Sequence, residues 1–148
     1  MSRKPEDLRV METLYQIRQR EVEKTSSKLM QQKQVCQRYS NNIKALHALS
    51  DSSSGMAMGA AQMHNQARFK TTIQRVIGWQ EQEKALAVID QLAIQRELIE
   101  QAKREMAISI VIEQQRVALG RALDRSQQKI TDAQAMQSWM RKKGTSGS

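Results

Sequence analysis

Residues 69–143 read FKTTIQRVIGWQEQEKALAVIDQLAIQRELIEQAKREMAISIVIEQQRVALGRALDRSQQKITDAQAMQSWMRKK. No proline falls in this stretch, and only Gly78 and Gly120 interrupt it. Its Ala, Gln, Glu, Arg, Ile and Leu are good or tolerable helix residues, so the stretch predicts one continuous helix. Such a helix would run ~110 Å at 1.5 Å per residue. A small globule does not bury a rod of that length. Helices are held mainly by packing an apolar face, so this one needs a partner, either another part of the chain or another protein. The stretch points to a helical adaptor and away from an enzyme.

Upstream, Pro5 followed by Glu6 and Asp7 has the form of a helix start, with proline and carboxylates in the first turn. No Gly or Pro follows until after Leu49. A 3-4 repeat runs through Leu8, Met11, Tyr15, Arg18, Val22, Thr25, Leu29, Gln32, Cys36, Tyr39, Ile43 and Leu46; nine of the twelve are apolar or aromatic, as a coiled-coil seam requires. Arg18, Thr25 and Gln32 are its polar flaws, which lower stability and fix register. The predicted first helix spans about 6–49. Residues 50–66, SDSSSGMAMGAAQMHNQ, form the one clear break, placed at about 50–65 with the chain doubling back near Gly55. Helix–helix connections usually take 2–8 residues, so this one is long.

The second helix is predicted over about 66–142, with a flexible tail at 144–148. Its seam is read through Ala85, Val88, Leu92, Gln95, Ile99, Ala102, Met106 and Ser109. A second register follows through Ile112, Arg116, Leu119, Leu123, Ser126, Ile130, Ala133, Gln137 and Met140. Two successive steps of three, Met106 to Ser109 to Ile112, join them as a stammer. The expected fold is all-α: a single domain, a long antiparallel two-helix coiled-coil hairpin with unequal arms. The shorter arm should cover the longer one only to around Ser109. Beyond it Leu119, Leu123, Ile130 and Met140 lack a partner within the monomer, and an unpaired apolar seam tends to bind something.

Composition agrees. The chain has 148 residues, 3% aromatic, which is thin for a globular core. One proline and six glycines are too few for the frequent turns of an all-β fold. A single cysteine excludes an internal disulfide framework and fits a reducing, cytoplasmic setting. No apolar region of a secretory signal is visible, and the densest apolar run, 107–112, falls far short of the ~20 residues a membrane span requires. The net charge of +9 is distributed as +5 over residues 1–50, −1 over 51–100 and +5 over 101–148. In a hairpin both basic segments meet at one end, which would attract an acidic surface, most strongly at low salt.

The usual patterns of catalytic and ligand chemistry are not met in this sequence. Gly144-Thr145-Ser146-Gly147 lacks the lysine and the strand–helix setting of a phosphate loop. His47 and His64 have no ligand-spaced partner, so no metal site is expected. Glu81 and Glu83 are two apart on a helix and do not face each other. Cys36 lies on the seam, where a small buried hydrophobe is the plain reading. No catalytic residue and no cofactor are therefore assigned. Three features remain: the face of Phe69, Ile73, Val76 and Trp79, the apolar girdle at 108–112, and the basic ends. Core packing is the plain reading of the first two. A docking patch is the sharper reading of the first, because Phe69 and Trp79 are large anchors in an aromatic-poor chain.

The segment Leu14-Tyr15-Gln16-Ile17-Arg18-Gln19-Arg20-Glu21-Val22, the run from Cys36 to Leu49 leading to the break, and FKTTIQRVIGWQ at 69–80 together resemble FliJ. That family supplies a small coiled-coil component of the flagellar type III export apparatus and is similar, more distantly, to stalk proteins of virulence-type secretion systems. The likeness covers roughly residues 8–142. It implies an antiparallel two-helix coiled coil resembling the shaft of rotary ATP synthases. It also implies insertion of the end bearing both termini into the hexameric ring of the export ATPase, promoting ring assembly and activity. Contacts with the cytoplasmic domain of the export gate and with export chaperones are implied as well, at the cytoplasmic face of the inner membrane and through partners only. Carried onto this chain by hydrophobic character and spacing, the gate-facing candidates are Phe69, Ile73, Val76 and Trp79. Charge placement gives Arg9, Arg18, Arg20, Arg125, Arg141, Lys142 and Lys143 as ring-facing candidates. Two other classes compete. One is a self-associating structural coiled coil paired through residues 110–142. The other is a nucleic-acid-binding coiled coil, disfavoured because Lys and Arg alternate with Asp and Glu and no basic run exceeds three residues.

Overall fold

A computed structural model describes residues 3–52 and 59–145. Both described segments are helical: α1, Arg3–Ser52, and α2, Ala60–Thr145. The fold is an all-α two-helix hairpin with arms of 50 and 86 residues. Both helices are longer than their spacing predicts. At the break, Ser50–Ser52 continue α1, with the Ser52 hydroxyl donating to the Leu49 carbonyl at 3.0 Å. Ala60, Ala61, Gln62 and Met63 are strong helix formers, and α2 starts with them instead of near residue 66. The Met63 N–H donates to the Gly59 carbonyl at 2.9 Å and closes the first turn. The predicted turning point, Gly55, lies outside the described residues. At the other end Gly144 and Thr145 are still helical, and 146–148 lie outside the description. Gly78 and Gly120 leave α2 unbroken, and neither has a positive φ.

The contacts group into two compact units: a middle unit, Arg20–Ala102, and a terminal unit of Met1–Gln19 with Lys103–Ser148. A residue in a long helix pair touches only its own turn and the facing turns, so contacts stay local along the pair. In the middle unit the helices run antiparallel. The Gln32 side-chain amide donates to the Ala87 carbonyl at 2.9 Å, while Asn42, Leu46 and Leu49 share a groove with Val76 and Gln80. The terminal unit repeats the arrangement. Tyr15 shares a groove with Ser109 and Ile112, and Asp7 shares one with Gln115 and Leu119. Arg116 donates to Glu12 at 2.9 Å across the pair.

All twelve predicted seam positions of α1, from Leu8 to Leu46, are buried or half-buried. Thr25, Leu29 and Cys36 are the most enclosed. The polar flaw at Gln32 is resolved by its bond to α2, so a seam glutamine becomes a cross-helix strut.

The seam of α2 differs from the predicted one. In the middle unit the covered seam positions are Gln66, Lys70, Ile73, Ile77, Gln80, Lys84, Ala87, Gln91, Ile94, Leu98 and Gln101, with Val76, Glu83 and Val88 half-buried beside them. In the terminal unit they are Glu105, Ile108, Ile112, Gln115 and Leu119. The spacing alternates three and four throughout, so no stammer is present. From 84 to 108 each covered residue precedes the predicted one by a single position, and the residues predicted to form the seam there are exposed, apart from Val88. The physical reason is that α2 is apolar on two sides. The predicted stripe, with Leu92, Ile99 and Met106, has six apolar positions of eight from 85 to 109, against four of eight on the inward one from 84 to 108. Cover also extends further than Ser109: Leu119 is half-buried, and every residue from 120 to 145 is exposed.

Seam glutamines have an energetic consequence. The side-chain oxygens of Gln80, Gln101 and Gln115 are buried without a hydrogen-bond partner. A buried unsatisfied acceptor costs about 1–3 kcal/mol. Gln80→Leu, facing Leu46, is expected to raise the unfolding free energy by about 1–2 kcal/mol. Urea unfolding followed by circular dichroism measures it; an unchanged or lower midpoint refutes the account.

Candidate interaction surfaces

The gate-facing candidates lie at the start of α2 in the middle unit, but they do not share one exposed face. Phe69 is 45% exposed and Trp79 is 59% exposed, whereas Ile73 is 5% exposed and Val76 is half-buried. Ile73 and Ile77 take the seam positions of the 3-4 repeat, and the helical rotation then turns Phe69 and Trp79 away from α1. Ile73 is therefore core. Phe69 and Trp79 are exposed, and Val76 borders the groove with Asn42 and Leu46.

Of the ring-facing candidates, Arg9, Arg18, Arg125, Arg141, Lys142 and Lys143 belong to the terminal unit, and Arg20 to the middle unit. Arg18 is half-buried on the seam; the others are exposed. Along α2 past Leu119, residues 120–145 carry six basic groups and two carboxylates, a net +4. Near its end the Lys143 ammonium sits 4.6 Å from the Trp139 ring centroid, a cation–π contact that orders the last turn. Lys142 and Lys143 also lie in the last turn of α2, where cations complement the helix dipole. Every residue of this segment is exposed. The girdle divides: Ile108 is half-buried and Ile112 buried near Tyr15, while Ile110 and Val111 face outward.

Sequence reasoning missed the outward stripe of α2 as a surface. Leu86, Ile89, Leu92 and Ile99 are each about half exposed or more. Comparing the two stripes for which residues could pair with α1's polar positions, rather than counting apolar side chains, was the available signal. Among the described residues no group of three or more His, Cys, Asp or Glu is placed to hold a metal, and no helix is long and apolar enough to cross a membrane. His47 and His64 are exposed, and Cys36 is a buried thiol within the seam.

Neither a curated relative nor a solved structure matches the chain. Over residues 8–144 it matches the family model described as Flagellar FliJ protein. That match spans nearly the whole chain and agrees with two long helices paired along a 3-4 seam, so the chain belongs to the FliJ family and is a helical component of flagellar export.

Proposed function

We propose that this protein is the coiled-coil stalk of a flagellar type III export ATPase, entering the hexameric ring by its basic end and stimulating ring assembly and hydrolysis. The observation that carries this reading is the segment Gly120–Thr145: helical, uncovered by α1, and net +4. Such a segment fits a narrow lumen lined by carboxylates or carbonyls. Arg9, Arg125, Arg141, Lys142 and Lys143 make the principal contacts, with Arg18 and Arg20 nearer the paired region. Stimulation follows if the stalk binds the subunits unequally, because only a differential binding energy shifts nucleotide states. Phe69 and Trp79, bordered by Val76, contact the export gate, with Ile73 supporting them from the core. The same protein handles export chaperones and works at the cytoplasmic face of the inner membrane through these partners. No cofactor and no catalytic residue enter the mechanism.

The direct test adds the protein to the purified export ATPase and measures ring assembly by sedimentation together with phosphate release. Both should rise with added protein and saturate at a sub-stoichiometric ratio to ATPase subunits. Absence of binding to the ATPase overturns the proposal.

A further inference from the structure

Two exposed stripes on α2 are left over by the helix pairing, and they carry opposite charge. In the middle unit, Ala85, Ile89, Leu92, Arg96 and Ile99 repeat at three and four residues on the side away from α1, with Ile89, Leu92 and Ile99 exposed. Residues 79–102 around this stripe hold five carboxylates and two basic groups, a net −3. In the terminal unit, Leu123, Ser126, Ile130, Ala133, Gln137 and Met140 follow the same kind of repeat along the uncovered basic segment. Both stripes have the spacing a coiled-coil partner reads.

The flanks decide what fits. Viewed down α2 from its N-terminus, Asp90, Glu97 and Glu100 lie clockwise of the middle stripe. Arg125 and Lys129 lie anticlockwise of the terminal one, with Asp132 the one acid beside them. Two helices packed side by side in the same direction bring the clockwise flank of one against the anticlockwise flank of the other. Parallel packing therefore sets acids against bases. Two terminal stripes paired together would instead oppose +4 with +4. We infer that the middle stripe of one molecule receives the terminal stripe of a second copy, in parallel and head to tail. The contact is heterologous, so each molecule keeps one stripe unoccupied and chains of copies can grow. Bound this way, the basic segment is covered by an identical molecule until a tighter partner displaces it.

Sedimentation of the full-length protein tests this without any ATPase, so its result is independent of the ring reading. Association is expected over roughly 10–100 μM, in the range of small, weak interfaces. It should loosen about tenfold between ~50 mM and ~500 mM salt. Ile89→Lys with Leu92→Lys spoils the receiving stripe, and Leu123→Glu with Ile130→Glu spoils the inserting one. All four residues are exposed, so helicity by circular dichroism should be unchanged. Each double variant alone should be monomeric, and an equimolar mixture should form dimers and nothing larger. Monomeric wild type at every concentration, salt-independent association, or a mixture that stays monomeric overturns the inference and leaves the stripes to helices of other proteins.

Discussion

Replacing Ile73 by alanine is expected to lower the unfolding free energy by about 2–3 kcal/mol, while Phe69→Ala, four residues away, changes it by less than about 1 kcal/mol. Ile73 is 5% exposed, so its truncation removes buried carbon and leaves a gap beside α1. The value belongs at the lower end of core truncations because a two-helix seam closes more readily than a globular core. Phe69 is already nearly half in water and loses little by truncation. Binding should reverse the order. Phe69→Ala and Trp79→Ala should each weaken capture of the gate's cytoplasmic domain by about tenfold or more, as exposed aromatic anchors do. Ile73→Ala should weaken capture only in proportion to the fraction unfolded. Urea unfolding and titration of the purified gate domain separate these effects. If Phe69→Ala proves as destabilising as Ile73→Ala, the register of the α2 seam given above is wrong.

Reversing Arg141, Lys142 and Lys143 to glutamate is expected to reduce ATPase stimulation by about tenfold or more, with little change in helicity. Three reversals move the net charge from +9 to +3 and leave residues 120–145 at −2 instead of +4. A ring lumen with low-dielectric walls focuses the field of such a segment, so the loss should exceed that of ordinary surface ion pairs, about 0–1 kcal/mol each. The residues are exposed, and the fold does not rest on them. Only the last turn should fray, because it loses its dipole complement and the Lys143–Trp139 contact. Phosphate release as a function of added protein measures the effect, and raised salt should mimic it in the unaltered chain. Unchanged stimulation removes the electrostatic part of the proposed function.

The two helices were unequally legible. In α1 one apolar stripe dominates, with Val10, Ile17 and Met30 scattered outside it among Arg, Lys, Gln and Glu, and the 3-4 repeat could be placed only one way. In α2 two stripes compete. The inward one includes Lys84, Gln91 and Glu105, tolerated there because long polar side chains lay their carbons on the partner and carry their heads to the rim. The outward one carries Leu92, Ile99 and Met106. Ranking stripes by hydrophobicity selects the outward one, and a one-residue shift then produces a stammer that does not exist. Information lost at that step is tertiary: which side meets α1 depends on Ala87 being small enough for the close approach at Gln32. At the candidate surface, rarity alone singled out Phe69 and Trp79, which the structure leaves exposed. Ile73 was not separable from them, because spacing identifies a shared neighbourhood before it identifies a direction.

The segment from Gly120 onward has a kinetic signature. A helix with no tertiary cover is held by its own backbone bonds, and such helices are marginal in water. Amide protons there should exchange with deuterated solvent orders of magnitude faster than those around Ile77 and Ile112. Each partner that grips the segment should slow that exchange, so deuterium uptake would report occupancy residue by residue without any label on the protein.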